Sequence, residues 1–443
     1  MRAPTVDQLL TAIADAGREL LRLGSLNRRP DIVDLCRDLL STRGEASGSA
    51  LAREVVERYA TMEEDGRLAF FVALARDFGV DPERIERALE GYRADPDFRS
   101  LQELRRASEP PRQELFRRIN LAPDGTRAIV AMRADLLRFM QIRPELEEVD
   151  ADLHHLLTSW FNPGFLTLTR IDWNSPAALL EKIKRYERVH EIPALEALKR
   201  RLAEDRRCFA FFHPALPDEP LIFVEIALTR GTPERVAPLI DQDAPVFAPA
   251  EADTAAFYSI NNCQEGLRGV TLGNFLIKLV VAALQKELPQ LRRFVTLSPV
   301  PGFRSWVEEA AQTGDPAIAE RAREALEIVH GSDWFRDPER AERARDPLLA
   351  LCAHYLLRVK RGGEPRDPVA RFHLRNGARL ERINWLADPS PKGLEESFGI
   401  MVNYLYDPGR IERYHETYAA SGEVVHSAAI RSLLAAGRRR RAG

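Results

Sequence analysis

Residues 257–281 read FYSINNCQEGLRGVTLGNFLIKLVV and place three glycines between a short apolar run and a strongly apolar stretch. The run FYSI has the residue types of a strand, whereas the segment after the glycines has the apolar content of a helix. Glycine weakens regular elements, so three of them at such a junction indicate backbone that turns tightly or lets another group come close. The pattern predicts a strand, a glycine-rich turn and a helix. The glycines are Gly266, Gly269 and Gly273.

A helix that follows such a turn is suited to binding an anion. Its first amides have no partner within the helix and carry the positive end of the helix dipole, and the glycines let a phosphate approach. The segment is not a Walker A motif, since no GK[ST] follows, and it is not GxGxxG. It resembles the pyrophosphate loop of the GNAT acyltransferase superfamily, which holds coenzyme A. A glycine-rich turn without a ligand is the alternative.

The composition bounds the class of protein. A chain of 443 residues exceeds what one hydrophobic core usually supports, so two domains, possibly three, are expected. With 45% hydrophobic and 30% charged residues and a net charge of -3, the chain is typical of a globular protein. No strong basic field points to a nucleic-acid partner.

The cysteines and the N-terminal residues bear on the compartment. The four cysteines form no CxxC or Cys/His spacing, which favours a reducing compartment over a disulfide scaffold or a zinc site. Charged residues such as Asp7, Asp15 and Arg18 interrupt the apolar pattern of residues 1–21, unlike a signal peptide. No stretch is apolar enough to span a bilayer. We therefore expect a cytoplasmic protein without a membrane partner. The cysteines are Cys36, Cys208, Cys263 and Cys352.

The apolar spacing divides the chain into two regions. From Val6 to about Phe161, apolar residues recur at helical spacing, with proline-containing turns between the segments. Beyond Pro163, short β-rich runs alternate with helical stretches. We predict an α+β protein with an all-helical domain over residues 1–158 and a mixed α/β domain over residues 159–443. The β-rich runs are FLTLTRI, CFAFF, LIFVEIAL, FYSI and RFVTL.

Two residues of the second region are candidates for proton transfer. Ser298, in LSPVPGF, ends an apolar run and precedes Pro299, whose ring stops a strand ladder. His373, in RFHLRNG, lies in a short β-like run before the Asn376-Gly377 turn, and an unperturbed imidazole titrates near neutrality. From these residues alone, a turn serine and a structural histidine remain as alternatives. His213, in FFHPAL after a strand-like run, is a weaker candidate, and the remaining histidines are interpreted as solvated or packed side chains.

Two long stretches, 257–303 and 367–406, resemble the malonyl-CoA decarboxylase family in the same order. With SWFNPGFLTLTRIDWNSPAALLEKI and FFHPALPDEPLIFVEIALTRG, the resemblance covers about residues 150–410. It implies a helical domain involved in oligomer formation, a GNAT-like mixed α/β catalytic domain, and a homotetramer built as a dimer of dimers. It also implies conversion of malonyl-CoA to acetyl-CoA and carbon dioxide without a metal or prosthetic group, coenzyme A being part of the substrate.

The resemblance also implies the roles of particular residues. Ser298 corresponds to the family's active-site proton acceptor, which also contacts the substrate, and His373 to its proton donor. Some members carry a glutamate where this chain has Thr271, so a carboxylate is not expected there, and the threonine can cap the helix. The segment that contacts coenzyme A corresponds to Arg268, Gly269, Val270, Thr271, Leu272, Gly273 and Asn274.

Two other functions remain open at the level of the sequence. One is a GNAT-fold acyltransferase that passes an acyl group from coenzyme A to an amine or a carrier. The other is a non-catalytic protein that senses coenzyme A and binds partners through its helical half. The paired presence of Ser298 and His373 favours the decarboxylase over both.

Overall fold

The computed structural model describes residues 31–42, 44–270, 276–313 and 315–439, with side chains as far as residue 434. The chain forms two compact units. Within the described ranges, the helical unit comprises residues 31–167, 212–221 and 262–270, and the sheet unit comprises residues 168–211, 222–261 and 276–439. The predicted domain division at residues 158 and 159 stays a prediction.

Three of the described α-helices of the helical unit begin at a capping carboxylate, that of Asp31, Asp81 or Asp97. The Asp81 side chain accepts hydrogen bonds from the amides of Glu83 and Arg84, and Asp97 forms a capping box with Ser100. The prediction of a helical N-terminal region is confirmed. Its described helices are α1 (Ile32–Ser41), α2 (Glu45–Ala60), α3 (Glu64–Asp77), α4 (Pro82–Ala94), α5 (Phe98–Ser108), α6 (Pro111–Ile119), α7 (Gly125–Phe139) and α8 (Glu147–Trp160).

The strands of the second half form a mixed sheet. They are β1 (Thr167–Ile171), β2 (Arg206–Phe212), β3 (Ile222–Thr229), β4 (Thr254–Asn262), β5 (Arg293–Thr296), β6 (Ser298–Pro299), β9 (Arg379–Asn384) and β10 (Met401–Tyr406), while β7 (Lys360–Arg361) and β8 (Glu364–Pro365) form a separate hairpin. The strand order is β1-β2-β3-β4-β5-β10-β6, with β9 paired to β10. β4 and β5 are parallel, whereas β10 is antiparallel to β5, β6 and β9. Phe223, Phe257 and Val295 are buried at the centre of this sheet.

Helices connect the strands, and the predicted α+β class is confirmed. The parallel strands β4 and β5 are joined through a 3-10 turn at Glu265–Leu267 and the helix α12, the order predicted from residues 257–281. The remaining described helices are α9 (Ala177–Tyr186), α10 (Leu195–Arg201), α11 (Ala237–Ile240), α12 (Leu276–Glu287), α13 (Phe303–Thr313), α14 (Pro316–Ile328), α15 (Pro338–Arg358), α16 (Pro368–Arg375), α17 (Pro391–Ser397), α18 (Ile411–Ser421) and α19 (Ala428–Arg439).

The segment around His373 differs from the prediction. Residues Pro368–Arg375 form the helix α16, so the expected β-like run is wrong. The side chain of Asp367 begins this helix by accepting a hydrogen bond from the Ala370 amide at 2.7 Å. The Asn376-Gly377 pair ends it, with Gly377 at φ +78°, in the left-handed region common after a helix C-terminus. A pair interpreted as a turn between strands is therefore a helix cap.

Candidate active site

Ser298 lies at a strand end in the interior of the sheet unit. It begins β6 opposite Val402 of β10 and is buried. Its hydroxyl donates a hydrogen bond to Oγ1 of Thr296 at 2.9 Å. The same Thr296 oxygen accepts from the backbone amide of Tyr404 at 3.1 Å. The serine is thus held by hydrogen bonds that connect it to β5 and β10.

The imidazole of His373 reaches Ser298 from the helix α16. Nε2 of His373 lies 3.0 Å from Ser298 Oγ, and Nδ1 lies 2.8 Å from the hydroxyl oxygen of Tyr406. The ring of Tyr404 stacks on the imidazole, with 4.6 Å between the ring centroids. The structure therefore brings Ser298 and His373 together and adds Tyr406 at the far side of the imidazole.

The hydrogen bonds indicate which nitrogen of His373 carries the proton. Because Ser298 donates to Thr296, its oxygen is left to accept from His373 Nε2. Nδ1 then accepts from the Tyr406 hydroxyl, which stays protonated because burial raises the pKa of Tyr406 well above its usual range. These contacts fit a neutral imidazole whose Nε2–H points at the serine.

The burial of His373 changes the expectation about its titration. The side chain is 2% exposed, and burial lowers the pKa of His373 from 6.5 to about 3. The expected titration near neutrality is therefore wrong, since His373 is uncharged throughout the neutral range. A neutral imidazole can still act as an N–H donor, to a developing negative charge or to carbon.

A buried carboxyl group stands at the start of the helix that carries His373. Asp367 is fully buried, and its Oδ2 has no hydrogen-bond partner among the described residues. Burial raises the pKa of Asp367 to about 7. The sequence did not single out this residue, because an Asp-Pro pair before a short segment indicates no more than a helix start.

The predicted coenzyme A segment is described in part. Arg268, Gly269 and Val270 belong to the helical unit. Arg268 is exposed, and Gly269 has φ +83°, a conformation that favours glycine. Four further predicted contacts, Thr271, Leu272, Gly273 and Asn274, lie outside the described residues.

The close approach at Gly266 is made by the protein's own backbone. A Cβ atom at Gly266 would lie 1.8 Å from the carbonyl oxygen of Val130 in α7. No side chain fits at that distance, so the glycine is required for packing against this helix. The general prediction of a close approach is met at Gly266, but the approaching group is a helix and not a ligand.

His213, the weaker candidate of the sequence analysis, is a packed histidine. It is buried, its ring centroid lies 4.7 Å from that of Phe161, and its Nδ1 accepts from the amide of Ala215 at 3.1 Å. Burial lowers the pKa of His213. The contacts with Phe161 explain this histidine without a role in chemistry.

Tyr406 and Thr296 are the residues of the site that the sequence reasoning missed. Each lies two positions from another member of the site, Tyr406 from Tyr404 and Thr296 from Ser298. Residues two apart on a strand point to the same face of a sheet. For Thr296, that spacing is the signal that could have found it once Ser298 was chosen, whereas Tyr406 lies two positions from Tyr404, which no motif singles out.

Three further observations concern the described residues as a whole. All four cysteines are buried, and none forms a disulfide bond with another described residue. In the described ranges, no group of three or more His, Cys, Asp or Glu side chains is arranged to hold a metal ion. No helix within the same ranges is both long and apolar enough to cross a membrane.

Comparison with known proteins identifies the family. The model of the malonyl-CoA decarboxylase C-terminal domain matches residues 164–442, and that of the N-terminal domain matches residues 78–161. The chain belongs to the malonyl-CoA decarboxylase family. The resemblance drawn from the sequence is thereby confirmed.

Members of the malonyl-CoA decarboxylase family match most of the chain. "Malonyl-CoA decarboxylase, mitochondrial" of Anser anser anser is 36% identical over 388 residues, covering 80% of this chain and 77% of the relative. The crystal structure of malonyl-CoA decarboxylase from Rhodopseudomonas palustris has 50% identity and a TM-score of 0.88, covering 90% of this chain and 98% of that chain. The one from Agrobacterium vitis has 48% identity and a TM-score of 0.85, covering 91% and 100%.

Proposed function

We propose that this protein is a carboxy-lyase that converts malonyl-CoA to acetyl-CoA and carbon dioxide. The observation that carries the proposal is the 3.0 Å contact between Ser298 Oγ and His373 Nε2, buried in a member of the malonyl-CoA decarboxylase family. A hydroxyl and an imidazole in hydrogen-bond contact can exchange a proton with a bound acyl group. This is the chemistry that a decarboxylase needs after carbon dioxide leaves.

The reaction sets two demands on the site. When the bond between the α-carbon and the carboxylate breaks, its electron pair moves into the thioester and forms an enolate. The protein must stabilise negative charge on the thioester oxygen and must then deliver one proton to the α-carbon. Burial strengthens hydrogen bonds to that charge, because the surroundings of Ser298 and His373 have a low dielectric constant.

Ser298 and His373 are proposed to meet these demands together. Ser298 positions the malonyl group through its hydroxyl, and His373 supplies the proton from Nε2 to the nascent carbanion. The Tyr406 hydroxyl, 2.8 Å from Nδ1, supports the tautomer in which Nε2 carries that proton. The proton lost to the product is regained from solvent, so the enzyme returns to its starting state.

Coenzyme A is proposed to bind through its pyrophosphate at Arg268, Gly269, Val270, Thr271, Leu272, Gly273 and Asn274. Two features of the described part support this assignment. The Arg268 side chain is exposed and forms no ion pair with another described residue, so its guanidinium is available to a phosphate. Gly269, at φ +83°, lets the backbone turn without a side chain in the way.

Carbon dioxide release from malonyl-CoA in the absence of any acyl acceptor tests the function. We expect release of carbon dioxide in equal amount to acetyl-CoA, identified by mass spectrometry, and no effect of EDTA, since the proposed chemistry uses side chains alone. A chain that forms acetyl-CoA only when an amine or carrier is added would be an acyltransferase. Activity abolished by EDTA and restored by one metal ion would overturn the cofactor-independent mechanism.

The assembly and the compartment are proposed on the same basis. The resemblance supports a homotetramer, whose mass by light scattering would be four times the 50.1 kDa of one chain. Four buried cysteines that form no disulfide bond support a reducing compartment, and we propose the cytoplasm. The relative from Anser anser anser is named mitochondrial, so microscopy of a tagged chain distinguishes the two locations.

A further inference from the structure

A buried arginine of the helical unit donates hydrogen bonds to the backbone of residues 266–268, at the start of the predicted pyrophosphate segment. Arg133, in α7, is 2% exposed. Its Nη1 donates to the carbonyl oxygens of Gly266 at 2.7 Å and of Arg268 at 2.8 Å. One guanidinium nitrogen thus fixes two carbonyl groups, two residues apart, on the same side of the segment.

A carboxylate holds the arginine in this orientation. Nε of Arg133 donates to Oδ1 of Asp150, in α8, at 2.7 Å. Asp150 is mostly buried, with 17% of its side chain exposed, so the pair is shielded from solvent. The guanidinium is therefore held by Asp150 of α8 as well as by the segment to which it donates.

The helix α8 supplies a further hydrogen bond to the same segment. Nε2 of His154 lies 3.1 Å from the carbonyl oxygen of Gly269. A carbonyl oxygen only accepts hydrogen bonds, so Nε2 carries the proton in this contact. Together with Arg133, His154 engages three carbonyl groups between residues 266 and 269.

This arrangement leaves an amide pointing away from the helices. In a planar trans peptide the C=O and N–H groups point in opposite directions. Because the Arg268 carbonyl points at Arg133, the Gly269 amide points away from it, and it has no acceptor among the described residues. The exposed side chain of Arg268 adds a positive charge to the same short segment. Free amides beside a cation are suited to a phosphate.

We propose that Arg133 and His154 are positioning residues, which hold residues 266–270 in the conformation that receives the pyrophosphate of coenzyme A. The inference rests on the proposed function of this segment. It gives the helical unit a part in substrate binding that is separate from oligomer formation. Substitution of Arg133 or His154 should therefore weaken the binding of a substrate that carries a pyrophosphate and should not affect the binding of a substrate that lacks one.

Arg133→Lys, assayed with two substrates, tests the proposal. Lysine keeps the charge beside Asp150 but cannot reproduce the geometry of a guanidinium that bonds the aspartate and two carbonyls. With malonyl-CoA we expect KM to rise about tenfold and kcat to stay within about twofold. With malonyl-pantetheine, which lacks the pyrophosphate, we expect both constants to match the wild type.

Arg112→Lys is the matched control. Arg112 is another buried arginine of the helical unit, paired with Asp152 and not bonded to residues 262–270. Its variant should leave the ratio between the two substrates unchanged. A parallel fall in kcat/KM for both substrates with Arg133→Lys would show a purely structural role and overturn the proposal.

His154→Leu covers the case in which Arg133→Lys does not fold. His154 is partly exposed, and the adjacent and exposed His155 provides the control variant His155→Leu. Only His154→Leu should raise the KM for malonyl-CoA. Equal effects of the two variants would contradict the positioning role of His154. If the wild type released no carbon dioxide, the proposed function would fail, while calorimetry with coenzyme A alone would still compare the variants.

Discussion

The chemistry of the site depends on a histidine kept neutral by its surroundings. His373 is enclosed by Ser298, Tyr404 and Tyr406, none of which brings a charge. Without a carboxylate partner, the imidazolium form has nothing to offset its burial, and the pKa falls to about 3. The proposed proton transfer would therefore proceed through neutral groups linked by hydrogen bonds.

Replacing His373 should affect turnover far more than binding. His373→Ala removes a group that acts in the transition state, so we expect kcat to fall about a hundredfold to ten-thousandfold, with near-normal affinity for acetyl-CoA. Because its pKa is about 3, the wild-type kcat should show no ionisation of His373 near pH 6.5. Steady-state kinetics between pH 5 and 9 and calorimetry with acetyl-CoA measure these quantities.

His213→Ala is the control for this prediction. His213 is also a buried histidine, but it packs on Phe161 in the helical unit and should affect stability more than kcat. The assignment of the proton donor would be wrong if His373→Ala kept wild-type carbon dioxide release while the His213 variant lost it.

At the residue scale, the sequence supplied two members of the site and not the rest. The motifs around Ser298 and His373 resemble a family, and this resemblance predicts their roles in proton transfer. The contact between the two side chains depends on the three-dimensional structure. Tyr406 and Asp367 carried no local signal, since a tyrosine on an apolar strand and an aspartate before a proline have ordinary structural explanations. Their importance comes from burial beside His373 or its helix, which neither motif reveals.

At the scale of elements, the helix α16 depends on its two ends. The eight residues PVARFHLR are too few to show a helical period, and the following Asn-Gly pair is common in hairpins. The structure selects a helix because Asp367 caps its start and Gly377 fits its end. A Cβ at Gly377 would lie 2.2 Å from the Ile411 carbonyl oxygen, a contact that the sequence does not show.

Asp367→Asn should make the protein more stable at high pH than at low pH, relative to the wild type. Asparagine keeps the acceptor for the Ala370 amide but cannot ionise. The folded state holds the Asp367 proton up to about pH 7, whereas an unfolded aspartate releases it near 3.8. Wild-type stability from this group is therefore present below pH 3.8 and is lost as the pH rises to 7. Urea unfolding should show the variant gaining about 1–3 kcal/mol between pH 4.5 and 8.

The pH dependence predicted for Asp367→Asn depends on the groups that surround Asp367, and an exposed helix cap provides a control. Tyr404 and Cys352 face Asp367 as neutral groups, and Arg371 is the cation that favours its ionised form. Asp337, an exposed residue that caps α15, provides the control Asp337→Asn, which replaces a capping carboxylate outside the core. A stability difference for Asp367→Asn that stays constant between pH 4.5 and 8 would mean that Asp367 is ionised over that range, and would contradict the prediction.

At the scale of the whole molecule, the order of the elements could be predicted from the sequence, but their grouping into two units could not. Near Pro163 the helical spacing of apolar residues gives way to alternating β-rich and helical runs, and this change predicted the α+β class. The membership of residues 212–221 and 262–270 in the helical unit could not be predicted. It rests on contacts between distant positions, such as Arg133 with Gly266, which are 133 positions apart. No periodicity within a window of the chain contains that information.

Alanine substitutions at Gly266 and Gly269 should lower the stability of the protein by different amounts. Gly266→Ala places a Cβ 1.8 Å from the Val130 carbonyl, so the segment must move away from α7 and weaken its bonds to Arg133. We expect the free energy of unfolding to fall by about 3 kcal/mol or more. At Gly269 a Cβ would lie 3.6 Å from His154 Nε2, an ordinary contact, and only φ +83° is unfavourable. Gly269→Ala should therefore cost about 1–2 kcal/mol and weaken coenzyme A binding.

Gly91→Ala calibrates both measurements. Gly91 lies inside α4, where a Cβ meets no atom within 4 Å, so alanine should raise the free energy of unfolding by about 0.5–1 kcal/mol. Urea unfolding should rank the proteins as Gly91→Ala, wild type, Gly269→Ala and Gly266→Ala, while calorimetry with coenzyme A should show weaker binding by Gly269→Ala and wild-type binding by Gly91→Ala. A Gly266→Ala protein as stable as the wild type would contradict the packing of this segment on α7. Because Arg133 grips the segment from that helix, the same result would also remove the basis for its positioning role.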